Sequence, residues 1–277
     1  MMGSQWENFK QNLGIWEGSF TKISPVGEVL DSTSSIISLE EEDNNKVRFN
    51  IRRYGTGGIA ETPVSEFTQI YQSLGRHLLF FDDGSFSKGN MQMAPFAEFV
   101  SEFGFVNHDR RLRLVQQFDR DSLFNSLTLI REKRAETIMP EQPRLTVEQL
   151  LGKWVGKSYT LYPDFRPLQT ENTTLIIKMI SDKQIEQKLS FGNQTITSTA
   201  SLDNHCLEFE QGSLKMKLLL LPDGGSSLVP IQLKNRQSFL IEAGWLLEEN
   251  RRKRLIRYYD NQGKWTSCTL VIEDKIS

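Results

Sequence analysis

Short stretches in which apolar and polar residues alternate fill this chain, and a turn signal bounds almost every one. Residues 34–38 and 46–51 alternate on either side of Asn44-Asn45, as the two arms of a hairpin should. Residues 173–179, 184–191 and 195–202 follow one another closely, separated by Ser181-Asp182 and Gly192-Asn193. Two more runs follow, 205–210 and 214–221, the second ended by Pro222-Asp223-Gly224. The period is two almost throughout, so the pattern predicts many short antiparallel strands joined by tight turns. Helical signals are confined to two places. Ser4-Gln5-Trp6-Glu7 and Thr146-Val147-Glu148-Gln149 each read as a capping box opening a short helix.

The pattern also occurs twice. Leu13-Gly14-Ile15-Trp16-Glu17-Gly18 returns as Leu151-Gly152-Lys153-Trp154-Val155-Gly156, each behind one of the helices. Phe81-Asp82-Asp83-Gly84 parallels Leu221-Pro222-Asp223-Gly224, and Glu102-Phe103-Gly104-Phe105 parallels Glu242-Ala243-Gly244-Trp245. Residues 111–133 then align with 252–274 without a gap, with eight of the 23 pairs identical. A repeat this long marks a duplicated domain rather than a solenoid. The reading is therefore a first domain over 1–134, a linker over 135–144 containing Pro140 and Pro143, and a second domain over 145–277. A strand-rich domain avoids exposed edges by closing on itself, so each half is expected to be an all-β up-and-down barrel behind its short helix.

Composition narrows the class. The chain has 277 residues, 38% hydrophobic and 25% charged, with a net charge of −2. That balance suits soluble, globular domains and gives no basic footprint for nucleic acid. No apolar stretch reaches membrane-spanning length and no secretory pattern opens the chain, so a cytoplasmic protein is expected. Cys206 and Cys268 give neither a disulfide framework nor metal-ligand spacing, and the three histidines are scattered. Neither a metal nor a cofactor is predicted. The basic run Arg251-Arg252-Lys253-Arg254 follows Glu248-Glu249 and reads as a solvated hairpin with local charge pairing. Asp119 and Asp260 read as turn residues, and Gly55-Thr56-Gly57-Gly58 as a hairpin tip.

The paired Gly-x-Trp openings, Gly14-x-Trp16 and Gly152-x-Trp154, resemble the first-strand motif of the lipocalin and fatty-acid-binding-protein (calycin) superfamily. The resemblance implies two tandem calycin-like barrels, each closed at its floor by the tryptophan, with a late-strand arginine over the indole. Arg113 and Arg254, repeated late in each half, are placed there, over Trp16 and Trp154 respectively. With its Asp-Gly-Ser-Phe-Ser and Glu-x-Gly-Trp segments, the whole chain is similar to a two-domain lipocalin-like family of photosynthetic organisms whose function is not assigned.

Candidate chemistry is sparse. Arg257-x-Tyr259 puts a guanidinium and a phenol on one face of a strand, and resembles the Arg-x-Tyr pair with which fatty-acid-binding proteins hold a carboxylate. It stands one strand early for that role, and Gln116 and Phe118 replace it in the first half. If it faces inward, Arg257, Tyr259, Glu242 and Trp245 would form the ligand site of the second barrel. Glu242 and Glu102 also suit a structural pairing with the repeated arginines. No nucleophile-base-acid order or phosphate loop is readable, so no catalytic residue is assigned. The preferred function is binding of an apolar or amphipathic molecule, fatty-acid-like or tetrapyrrole-like. The alternatives are a lipocalin-fold enzyme, such as a bilin lyase or oxylipin cyclase, and a scaffold whose barrels are filled by side chains.

Overall fold

The computed structural model describes residues 3–43 and 45–276. The first half opens with helix α1 (Gln5–Lys10) and continues through β1 (Gly14–Ile23), β2 (Val29–Glu42), β3 (Lys46–Arg53) and β4 (Ser65–Tyr71). It goes on through β5 (Leu78–Phe80), β6 (Phe86–Gly89), β7 (Phe99–Asn107), β8 (Arg110–Phe118) and β9 (Phe124–Arg134). The second half has helix α2 (Val147–Leu150), then β10 (Gly152–Leu161), β11 (Gln169–Ser181), β12 (Gln184–Phe191), β13 (Gln194–Asp203) and β14 (Cys206–Phe209). It ends with β15 (Met216–Leu220), β16 (Gly225–Pro230), β17 (Phe239–Glu248), β18 (Arg251–Tyr259) and β19 (Trp265–Ile276). The β2–β3 hairpin forms as the alternation predicts; Asn44 at its expected tip lies outside the described residues.

All pairings are antiparallel, and the second half closes into a ten-stranded barrel. The first half does not close. Its nine strands form an open sheet in the order β4-β3-β2-β1-β9-β8-β7-β6-β5, a half-barrel where a full one was expected. The physical reason is one missing strand. In the second half β14 bridges β13 and β15, whereas the first half runs from β4 to β5 without a strand between them.

The helices are held as their sequences require. Ser4 Oγ accepts the Glu7 N–H at 3.2 Å, and α2 has a complete Thr146–Gln149 capping box. Glu7 uses its carboxylate on Lys10 instead (3.1 Å). Thr146→Ala is expected to lower stability by about 1 kcal/mol, read from a shifted denaturant midpoint with unchanged slope. Gly18 and Gly156 are required by close approach of backbone. A Cβ there would lie 1.9 Å from Arg131 O and 2.1 Å from Ile272 O. Asp119 and Asp260 do build turns, each accepting two backbone N–H groups on one carboxylate oxygen.

The largest apolar cluster lies between the halves rather than inside either. Phe99 meets Phe239 edge to face (ring centroids 5.7 Å) and Phe105 meets Trp245 (6.3 Å), so equivalent residues of the repeat face each other. Isolated bridges Gln92↔Lys264 and Leu123↔Gln232 are related in the same way. The halves therefore meet about a pseudo-twofold axis. Much of the Phe- and Met-rich region of the first half, Phe81, Met93, Phe99, Phe103 and Phe105, is spent on this contact. Cys206 and Cys268 are buried and free.

The basic run of the second half is not solvated. Arg251 is exposed, but Arg252, Lys253 and Arg254 are buried along β18. Alternation sends Arg252 and Arg254 into the barrel and Lys253 toward the first half, where its ammonium meets Asp83 (2.8 Å) and Val106 O (2.9 Å).

Candidate functional site

Each half ends in a tryptophan floor. Trp16 and Trp154 are fully buried, and each indole N–H donates to a carbonyl at the end of the preceding helix segment, Asn12 O and Leu150 O, both at 2.9 Å. The guanidinium over Trp16 is Arg111 (4.5 Å to the ring centre), and over Trp154 it is Arg252 (4.3 Å). Arg134 and Lys275 also lie near these rings, at 4.1 and 4.9 Å. The sequence reading placed Arg113 and Arg254 there, two residues along the same strand face. The correction has a clear cause: Arg113 and Arg254 stand one step farther along that face, where each also reaches a second carboxylate, Glu102 and Glu242 respectively.

In the first half Glu132 takes both guanidinia, Arg111 (2.7 and 2.9 Å) and Arg113 (3.1 Å twice), and Arg113 also reaches Glu102 (2.9 Å). In the second half Glu273 accepts Arg252 (2.5 Å) and Arg254 (2.9 Å) on the same oxygen, and Arg254 reaches Glu242 at 3.1 and 3.3 Å. Burial alone would push the Glu132 carboxyl up, but the charges and hydrogen bonds of Arg111 and Arg113 bring it down to about 2. Glu273 is likewise lowered, for the same balance of reasons. Each cluster holds two arginines and two glutamates, so its charges cancel. The pairing differs between the halves: Glu132 is engaged on both oxygens, while Glu273 Oε2 and Arg252 Nη2 have no partner among the described residues.

The second barrel is hollow. An inner cavity of about 190 Å³ reaches Glu242, Arg252 and Arg254, and an outer one of about 480 Å³ lies toward Ser213 and Ser238. They share Gln187, Ile196, Phe209, Leu228, Leu240 and Tyr258 in their walls, so the two lie side by side in the barrel lumen. Tyr258 keeps 36% of its surface accessible because it faces this hollow. Its enclosure, with Glu242 nearby, pushes the phenol up to about 12, so it stays protonated and able to donate. The first half has a counterpart of about 180 Å³ bounded by Phe49, Phe67, Phe80, Glu102 and Arg113.

Of the four residues assigned to the ligand site, the structure brings Glu242 and Trp245 to the wall of the inner cavity, beside Arg252 and Arg254. Arg257 is fully buried on the opposite face of β18, toward the first half. Its guanidinium stacks on Trp265 (3.7 Å) and donates to Tyr259 Oη (2.9 Å), Ser87 Oγ (3.0 Å) and Asn90 O (3.3 Å). Tyr259 donates to Asn90 O, stacks on Phe239 (4.6 Å), and touches the outer cavity at its rim. Trp245 donates to Asp223 O (3.0 Å) and packs on Phe105. The reason is that β18 buries both faces, one in the lumen and one between the halves. Gln116 makes the contact equivalent to that of Arg257, donating to Ser227 Oγ and Glu242 O at 2.8 Å each. The residues that sequence reasoning missed are Arg111, Arg252, Glu132, Glu273 and Tyr258. All but Tyr258 are identical pairs of the repeat, which was the available signal.

No helix among the described residues is long and apolar enough to cross a membrane. Comparison with known proteins places the chain. Residues 2–137 match the N-terminal domain of unknown function DUF3598, and residues 141–276 match the C-terminal domain of Biogenesis factor required for ATP synthase 1. Among curated proteins the comparison found no match. The crystal structure of a protein of unknown function from the DUF3598 family of Nostoc punctiforme is 45% identical, covering 99% of this chain and 100% of that one with a TM-score of 0.93. An S-type phycobiliprotein lyase from Guillardia theta is similar at 13% identity over 47% of this chain and 90% of that one, with a TM-score of 0.37, too low to carry an inference. On the match that runs the full length of both chains, this chain belongs to the DUF3598 family.

Proposed function

We propose that the protein binds an apolar or amphipathic small molecule in the lumen of its second barrel. The observation that carries this reading is the pair of adjoining cavities in the barrel lumen, mostly apolar in their walls and wide enough for a compact ligand. Its charged end is already neutralised, since Glu242 and Glu273 offset Arg252 and Arg254. The polar end of the ligand therefore need not be an anion: the Tyr258 hydroxyl suits a neutral acceptor such as a carbonyl. Arg257 and Tyr259 act in this reading as struts between the halves.

The test is a titration of the full chain with the neutral fluorophore Nile red, beside native mass spectrometry of the freshly purified protein. Saturable binding of one equivalent, lost in Leu240→Trp, which puts an indole in the wall common to the two cavities, is the expected result. Absence of saturable binding, or binding indifferent to Leu240→Trp in a variant that still folds, overturns the reading.

A second reading is favoured by one observation, the match of 141–276 to a domain of a biogenesis factor required for ATP synthase. In it the two halves are a scaffold for assembling a protein complex. Stoichiometric co-purification of ATP synthase subunits that survives Leu240→Trp would favour the scaffold over the ligand carrier.

A further inference from the structure

The first half keeps a hollow of its own, about 180 Å³, walled by residues of both edge strands, β4 and β5, so the gap left by its missing strand opens onto it. Five phenylalanines, Phe9, Phe49, Phe67, Phe80 and Phe86, make most of its apolar wall. Phe9 meets Phe80 at 5.3 Å and Phe80 meets Phe86 at 5.2 Å between ring centres, a tilted series that offers edges and faces to a further ring. An apolar cavity of about 150 Å³ holds one benzene molecule, so the size here suits a single aromatic ring.

Two positions in this wall depart from the second half. Asn12 and Leu150 are equivalent, each giving its backbone carbonyl to the floor indole. Lys88 and Leu228 are equivalent too, each standing opposite the repeated glutamate, Glu102 or Glu242, on the neighbouring strand. Both leucines line the inner cavity of the second barrel, and both polar residues line the hollow of the first. Asn12 is only 2% exposed. Its Nδ2 donates to Gly84 O (2.9 Å), but its Oδ1 has no partner among the described residues. A buried acceptor left unmet is costly, and a donor arriving in the hollow relieves that cost.

Lys88 sets the charge. Arg111 and Arg113 are answered by Glu132 and Glu102, so those four cancel. Lys88 is a third cation, exposed to solvent, and among the described residues it is in no ion pair. The hollow of the first half therefore carries a positive charge in excess, where the lumen of the second is neutral. Tyr71 also faces the hollow; burial and the Glu102 charge push its phenol up, so it stays protonated and able to donate.

We propose that the hollow of the first half binds a small aromatic acid, one ring bearing a carboxylate and, at its far end, a hydroxyl or amino group. The ring lies among the phenylalanines and the donor meets the buried Asn12 Oδ1. The carboxylate stays at the exposed end with Lys88, and the Tyr71 hydroxyl is available to it as a second donor.

Isothermal titration calorimetry of the full chain with para-hydroxybenzoate tests this, beside benzoate, which lacks the donor, and para-hydroxybenzamide, which lacks the charge. The expected result is one equivalent of para-hydroxybenzoate bound, with binding about tenfold weaker in Lys88→Leu and about tenfold weaker for each control ligand. Lys88 is exposed, so Lys88→Leu should unfold as the unaltered chain does; if it does not fold, the benzamide comparison on the unaltered chain still decides. Leu240→Trp, which obstructs only the second barrel, should bind the acid unchanged. No binding of para-hydroxybenzoate, equal binding by a folded Lys88→Leu, equal binding of either control, or loss in Leu240→Trp each overturns the proposal.

Discussion

Glu132→Gln should destabilise the protein by about 3–5 kcal/mol, as expected when one partner of a buried charge cluster is removed. Glu132 is inaccessible and serves two guanidinia at once, four contacts between 2.7 and 3.1 Å. The amide keeps the volume but removes the carboxylate that answers both cations, leaving Glu102 paired with Arg113 alone. Arg111, which reaches no other carboxylate, is then buried over Trp16 without a counter-charge. Chemical denaturation measures the loss, and the double variant Arg111→Met/Glu132→Gln should recover part of it, because the stranded charge is gone. The pH dependence follows from the same carboxylate. Its folded value, about 2, lies below the 4.5 of an unperturbed glutamate. Its contribution is therefore complete above about pH 4.5 and disappears as pH falls through about 2. In Glu132→Gln that stretch of the acid-stability curve should flatten. An unchanged curve would show that Glu132 does not carry the effect.

Trp154→Ala should cost about 3–5 kcal/mol, the range for emptying a large aromatic from a packed interior. The ring is fully buried, lies beside the Arg252 guanidinium and the Lys275 ammonium, and is pinned to Leu150 O. Truncation removes the floor and deprives Arg252 of the π-face it stacks on. Trp154→Phe should cost clearly less, since it keeps a ring in place and loses only the indole hydrogen bond. Because the largest apolar cluster is shared between the halves, the loss should appear as one cooperative transition. A separate early transition confined to the second half would argue against coupling across that contact.

Much of the architecture could be read from periodicity and repetition. The alternating runs became strands, and the repeated Gly-x-Trp segments became matching first strands ending on buried indoles. The open first half could not be read in the same way. Nothing in the composition of 72–77 says that a strand is lacking, because closure depends on whether β4 can reach β5 across the sheet. The site was harder still. Alternation correctly grouped Leu255, Arg257 and Tyr259, but it cannot say which of two buried faces the group occupies. Rules for charged runs assume solvent outside a barrel, and they failed for Arg252 and Arg254 because Glu273 on β19 and Glu242 on β17 wait across the strand pairs. The floor arginine was misplaced by one step of the same alternation, since two repeated arginines share that face.

Arg257 and Gln116 stand at matched positions on either side of the pseudo-twofold axis, each reaching a serine of the opposite half. In a homodimer with true symmetry, a mutation at such a position would strike both ends of the contact together. Within one polypeptide it strikes only one, so the charged guanidinium and the neutral amide coexist. Covalent linkage thereby lets a self-complementary surface become lopsided without having to survive a doubled change.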